Sequence, residues 1–304
     1  MAVQFTPENV LMMDAKTGQV PTEYGELIIK EVVDTSAVTK LAKYEEMNAL
    51  KKTFTYLAEA PGAYWVSEGE KIQTSKATWL NVTMEAKKLA VILPVTKEFL
   101  NYTQAQFFEE MKPKIAEAFQ AKFDAAALFG TDTPYGEGIS IFERAKAADN
   151  LVTLGTGSVY EDLNDAMALI EDGDNEPQAF ATTRRFNKDL RGALDGQNLP
   201  IFNDAREGVT ARALGLPLVY GNGKAWDREK AVLLAGDFDH AYYGIPQGIE
   251  YMIDESATLS TIQGEDGQPI NLFERDMVAL RATMYIGFMT IKDDAFSAIV
   301  PAGE

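Results

Sequence analysis

The chain has no cysteine and a single histidine among its 304 residues. The first absence removes disulfides, zinc–thiolate sites and thiol nucleophiles, and it is compatible with synthesis in a reducing cytoplasm. The second leaves general-base and metal chemistry with one imidazole, His240. No apolar run reaches the roughly 18 residues that a membrane-spanning helix needs. The first residues lack a basic segment followed by an apolar one, so no secretory signal is expected there. Internal repeats and low-complexity tracts are also missing. Positive charge is scarce: 28 Lys and Arg face 46 Asp and Glu, for a net charge of −18. Such a surface repels phosphate at long range, which argues against a reader of nucleic acid.

What is present is enough apolar material for a real core, in one large domain or two smaller ones. The most informative stretch runs from Lys51 to Gly130. Its first part reads as a two-stranded ribbon. The second strand alternates over an unusual length, with Leu80, Val82 and Met84 on one face and Trp79, Asn81, Thr83 and Glu85 on the other. A ribbon standing alone is marginal in water. This one also carries Tyr64, Trp65 and Trp79, whose large apolar area wants cover. The expectation is that another copy of the chain supplies it, which points to assembly rather than catalysis.

A long helix follows. Thr103 is its expected cap, after a short turn capped by Thr96, and Gly130 is its stop. Its apolar stripe is Phe108, Met111, Ile115, Phe119 with Ala118, and Ala126. Pro113 should bend or break it. Upstream, residues 1–30 read as an extended arm, and 27–38 has helical apolar spacing. Residues 131–246 look like a separate α/β unit, with Ser158 capping a helix that carries Leu163, Met167 and Ile170. The strand-like pieces QAFAT, LPIF, LPLVY and AVLLAG belong to it, with a second helix near 183–194. Residues 248–256 return to period two, 271–291 are β-like in their second half, and a short closing element ends the chain.

Chemical motifs are thin. His240 lies beside Asp237 and Asp239, but no second histidine or cysteine can join it, so it reads as a loop histidine near two carboxylates. No G-x-S-x-G elbow exists. Gly221, Gly223 and Lys224 echo a phosphate loop, yet Leu218 stands where that motif needs glycine. Glu171, Asp172, Asp174 and Glu176 resemble part of a calcium loop, with Pro177 in place of the glycine at its sharp turn. A solvated loop is the simpler reading. No catalytic, cofactor or metal residue is assigned.

Several blocks match a known family. GAYWVSEGEKIQTSKATW, KLAVILPVTKEFL and DAAALFGTDTP together resemble the tailed-bacteriophage major capsid proteins of the HK-ninety-seven-type fold. Trp65, Glu68 and Gly69 carry the aromatic stretch and Glu-Gly pair, and Ser75 precedes the long strand. Lys88 to Thr96 and Asp124 to Gly130 carry the next two signatures. GDFDHAYYGIP and VALRATMYIGF resemble later blocks, so the likeness runs from about Leu27 to Pro301.

The resemblance implies an α+β subunit. Residues 1–30 would be an N-terminal arm crossing a neighbour, 31–50 the first part of a peripheral domain, and 51–85 an extended hairpin loop over a neighbouring subunit. Residues 86–130 would hold the spine helix, 131–246 the axial domain, 247–284 peripheral strands, and 285–304 a closing strand returning to the axial domain. Phe54, Tyr56, Tyr64, Trp65, Glu68, Lys71 and Trp79 are the expected subunit-interface residues of the loop. The implied role is a shell protein forming pentamers and hexamers around phage DNA, made in the host bacterial cytoplasm, with a separate scaffold and a portal as partners. An acidic surface suits proximity to packed DNA without adhesion. Some relatives weld subunits through a lysine–asparagine bond. Lys71 and Lys76 lie in the corresponding loop, but no partner motif is found and no cross-link is expected. The alternatives are an encapsulin-like nanocompartment shell, which shares the fold, and an acidic α/β enzyme.

Overall fold

The computed structural model describes residues 36–302, apart from 60–61, 67, 69–70, 72–73, 77, 195–196, 198, 204–210 and 264–268. The expected arm and most of the 27–38 helix lie outside these residues. The described end of that segment is helical: α1 is Ala37–Leu41. Strands β1 (Lys43–Tyr44), β2 (Lys51–Glu59) and β3 (Thr78–Thr96) lead into α2 (Lys97–Phe129). Then come α3 (Ile141–Ala147), β4 (Leu151–Thr153), α4 (Val159–Glu171), β5 (Ala179–Thr182) and α5 (Asn187–Gly192). Strands β6 (Phe202–Asn203), β7 (Arg212–Ala213), β8 (Leu216–Tyr220), β9 (Leu233–Gly236), β10 (Ala241–Asp254), β11 (Thr258–Gln263), β12 (Pro269–Asn271), β13 (Met277–Thr290) and β14 (Phe296–Val300) complete the chain.

Two sheets organise these elements. The first has the order β1-β10-β13-β3-β2. In it β3 serves twice: Ala86–Thr96 pairs with β13, and Thr78–Glu85 pairs with β2. The ribbon is therefore the outward continuation of a sheet strand and not a free-standing hairpin, which gives its base a rigid mount. The second sheet has the order β4-β14-β9-β5-β8-β7-β6, with the C-terminal strand β14 between β4 and β9. Strands β10 and β13 each continue through the expected domain boundaries at 246/247 and 284/285, β10 with a shift of register on either side of Gln247. The pair β11–β12, with Leu259 and Leu272 buried beside Ala279, is an excursion that the sequence pattern did not announce.

Helix α2 covers the first sheet. Ile115, Phe119, Phe123 and Ala127 pack with Met284, Ile286 and Phe288 of β13 in the larger core, and the Phe123 and Phe288 rings meet edge-on at 6.2 Å. The stripe read from the sequence is right at Met111, Ile115, Phe119 and Ala126, whereas Ala118 is exposed and Phe123 belongs to it; the side chain of Phe108 lies outside the described residues. The helix begins at Lys97 with Thr96 at its cap, not at Thr103, because the Lys97 amide donates to the Asp276 carbonyl at the sheet end (3.0 Å). It passes through Pro113, which is exposed, without a break. The apolar burial that follows the proline outweighs one lost hydrogen bond. Gly130 ends it at φ 66°, and its amide donates to the Ala126 carbonyl.

A second core sits in the other sheet, where Leu163 and Ile170 of α4 pack with Phe180, Leu218, Leu233 and Ile299. Ser158 caps α4 through a reciprocal bond pair with Glu161, as the sequence indicated. The entry to the described chain is fixed by one buried carboxylate. Asp124 of α2 accepts hydrogen bonds from the Ser36 hydroxyl and from the amides of Ala37 (3.1 Å) and Val38 (3.4 Å), so it caps α1 from a different element. Burial pushes its carboxyl up to about 6, against the three donors that favour the charge.

Candidate subunit-interface surface

The ribbon divides into a base held by its own chain and a distal part that is not. At the base, Met84 is fully buried and packs with Met47, Ala86 and Met289, with Phe54, Val82 and Tyr242 around them. Phe54 stacks on Tyr242 (centroids 5.8 Å apart), and Tyr56 meets the His240 ring edge-on at 6.4 Å. Lys52 donates to the Glu46 carbonyl (2.6 Å) and lies over the Phe54 ring. Lys51, opposite Glu85 in register, forms an ion pair with it. Hydrogen bonds from Lys51 and then Lys87 hold the Glu85 carboxyl down at about 2. Further out, paired Thr53 and Thr83 hydroxyls lie 3.0 Å apart, and the Thr55 hydroxyl donates to Asn81 (3.2 Å). The strand pair is thus pinned on both faces up to Tyr56.

From the Tyr56–Leu80 pair outward, large apolar groups are exposed. Trp65 is as exposed as it would be in a free peptide (104%), and Trp79, Tyr64 and Leu80 are 61%, 53% and 53% exposed. Glu68 and Lys71 are exposed as well. The Gly62 amide donates to the Ser75 hydroxyl (2.6 Å), which draws the two limbs of the loop together across this group. The structure therefore separates the seven expected residues. Phe54 and Tyr56 find cover on Tyr242 of β10 and on His240 in the turn before it. Tyr64, Trp65, Glu68, Lys71 and Trp79 are left on the outside. The period-two pattern could not distinguish the two groups, since the covering residues come from about 190 positions later in the chain.

The other candidates fall elsewhere. His240 ends a short helical turn, with Nε2 3.7 Å from the Asp237 carboxylate; burial lowers its pKa, opposed by Asp237. Lys43 pairs with Asp239 at 3.0 Å. Lys224 is held by Glu117 (2.7 Å), so it does not point to a phosphate. Asn175 is buried and tied to the carbonyls of Gly173 and Asp294, while Glu171, Asp172, Asp174 and Glu176 around it are exposed.

Residues 18–300 match the model of the phage capsid family. The chain is 47% identical over 302 residues to the major capsid protein of Staphylococcus phage 80alpha, spanning 99% of this chain and 90% of that protein. It is 24% identical over 290 residues to the probable major capsid protein gp17 of Mycobacterium phage D29, spanning 93% of this chain and 90% of that protein. A solved structure from Microbacterium phage Oxtober96 superposes with a TM-score of 0.75 at 30% identity, covering 88% of this chain and 91% of that one. These matches favour a virion shell over a nanocompartment. The chain belongs to the phage capsid family: it is a major capsid protein, a structural protein of the virion shell, with the α+β HK-ninety-seven-type fold.

Proposed function

We propose that copies of this chain close into rings of five and six and that these rings form an icosahedral head shell around phage DNA. The seven-stranded sheet unit acts as the axial domain at the ring centre, and the five-stranded sheet with α2 acts as the peripheral domain. The distal ribbon lies over the next copy, with Tyr64, Trp65 and Trp79 as its apolar contacts and Glu68 and Lys71 as polar ones. Residues 1–30 cross a neighbour as an arm. A separate scaffold and a portal take part in assembly, which happens in the host cytoplasm, and the protein carries out no catalysis.

The observation that carries this reading is the outward aromatic group on a rigidly mounted ribbon. A tryptophan buries about 150–250 Å², which at about 25 cal/mol per Å² is about 4–6 kcal/mol before the entropy of association is subtracted. Repeating such a joint around closed rings multiplies it over many copies. A combined Trp65→Ala and Trp79→Ala chain tests it. Soluble subunit is expected at unaltered yield by circular dichroism, and sedimenting shells seen by electron microscopy are expected to fall about tenfold or more. Equal loss of subunit and shell would contradict the assignment.

A further inference from the structure

A basic cleft of about 720 Å³ lies beside the C-terminal end of β5. Lys40, Arg184, Arg185 and Arg228 line it, together with the partly apolar wall of Val219 and Tyr220. Among the described residues that line it, none carries a carboxylate. All four cations are exposed, and none forms an ion pair with another described residue. The Arg184 guanidinium lies 5.6 Å from the centroid of the Tyr220 ring, which steadies it at the cleft wall. In a chain of net charge −18, a pocket with this concentration of positive charge calls for an anionic occupant.

A matching feature lies at the other end of the same strand. Helix α4 ends on Glu171 with Asp172 as its C-cap, and no basic residue stands in its last turn. The helix dipole disfavours carboxylates there, so the fold gains nothing from them locally. Asp174 and Glu176 follow in the exposed loop, and none of these four carboxylates forms an ion pair with a described residue. A local rule broken without compensation inside the chain points outside it. The loop leads into β5 (Ala179–Thr182), and Arg184 and Arg185 come directly after β5. Strand β5 lies between β8 and β9 in the seven-stranded sheet, so the acidic loop and the basic cleft occupy opposite ends of one sheet layer.

We infer that this pair is a head-to-tail joint, in which the acidic loop 171–176 of one copy docks into the basic cleft of the next. The inference rests on the proposed ring assembly. A complementary patch at each end of a subunit is the form a heterologous contact takes, and such contacts close into rings when the rotation permits. Charge complementarity of this kind fixes register and partner choice more than raw affinity. The alternative occupant, duplex DNA, fits less well. Its phosphates sit on a convex cylinder, the cleft is recessed and part apolar, and the net charge of the chain repels a polyanion of that size.

Charge reversal tests the joint on the full chain. Arg185→Glu is expected to lower shell yield by about tenfold, and Glu171→Lys with Asp172→Lys by a similar factor. Combining the two reversals is expected to restore yield to within about threefold of the unaltered chain, since the pair is again complementary. Circular dichroism and thermal unfolding of the unassembled subunit are expected to stay unchanged for Arg185→Glu. Should that variant misfold, Arg228→Glu takes its place. The inference is overturned if the unaltered chain forms shells and the combined variant does no better than the weaker parent. It is equally overturned if Arg185→Glu shells form at full yield and lose only duplex DNA binding. An unaltered chain that forms no shells at all would remove the ring-assembly reading itself, and this inference with it.

Discussion

Replacing Asp124 with asparagine tests how the chain is anchored where it enters the body. The carboxylate is fully buried and accepts from the Ser36 hydroxyl and the Ala37 and Val38 amides, which open helix α1. Asparagine keeps one acceptor oxygen and turns an amide toward one of those donors. The loss of one partner in a buried site should cost about 1–3 kcal/mol at neutral pH. The pH dependence is more telling. Burial raises the carboxyl from its ordinary value of 3.8 to about 6 in the fold. A raised folded pKa means that the folded state takes up the proton first. The stabilising contribution is therefore complete below the unfolded value and is lost as pH rises through about 6. Between about pH 7 and pH 5 the unaltered chain should gain about 1 kcal/mol relative to Asp124→Asn, rising to about 3 kcal/mol below pH 4. Urea unfolding of the unassembled subunit, followed by tryptophan fluorescence at several pH values, gives the difference between the two chains. Comparing the two removes the contribution of other carboxylates such as Glu85. A difference that stays flat from pH 7 to 5 would refute the raised pKa. A difference that shrinks on acidification would mean that the three donors outweigh burial.

Three further outcomes are expected. Gly130→Ala forces a side chain into φ 66° and brings its Cβ to 2.7 Å from the Glu143 carboxylate, which accepts from the Ser140 hydroxyl that caps α3; a loss of about 1–2 kcal/mol in subunit unfolding is expected, and no loss would show that the turn can relax. Met84→Ala opens a cavity under the ribbon base, where Met47 and Met289 meet it; about 2–5 kcal/mol should be lost, with faster proteolysis between residues 51 and 85, and unchanged proteolysis would detach the ribbon from this cluster. Shell assembly should speed up from low to moderate salt, because the net charge of −18 repels over distances longer than the roughly 10 Å screening length at 0.1 M, whereas contacts inside an interface are shorter than that; a rate independent of salt would remove long-range repulsion from the account.

The sequence alone determined the elements whose pattern is local. The alternation from Trp79 to Glu85, the Ser158 cap of α4 and the glycine stop at Gly130 are all carried by residues within a turn or two of one another, and each appears as read. The capsid resemblance was legible for the same reason, since its blocks are short contiguous strings. What tertiary structure decided depends on residues far apart in the chain. Helix α2 starts at Lys97 because the Asp276 carbonyl meets its first amide, and it survives Pro113 because the turns beyond it are buried against β13. Phe54 and Tyr56 turned inward because Tyr242 and His240 lie beneath them, which left the distal aromatics as the outward group. The basic cleft gathers Lys40, Arg184, Arg185 and Arg228 from three separate parts of the chain, and no spacing rule could have united them. Periodicity reports which face of an element is apolar; only the packed structure reports what covers that face.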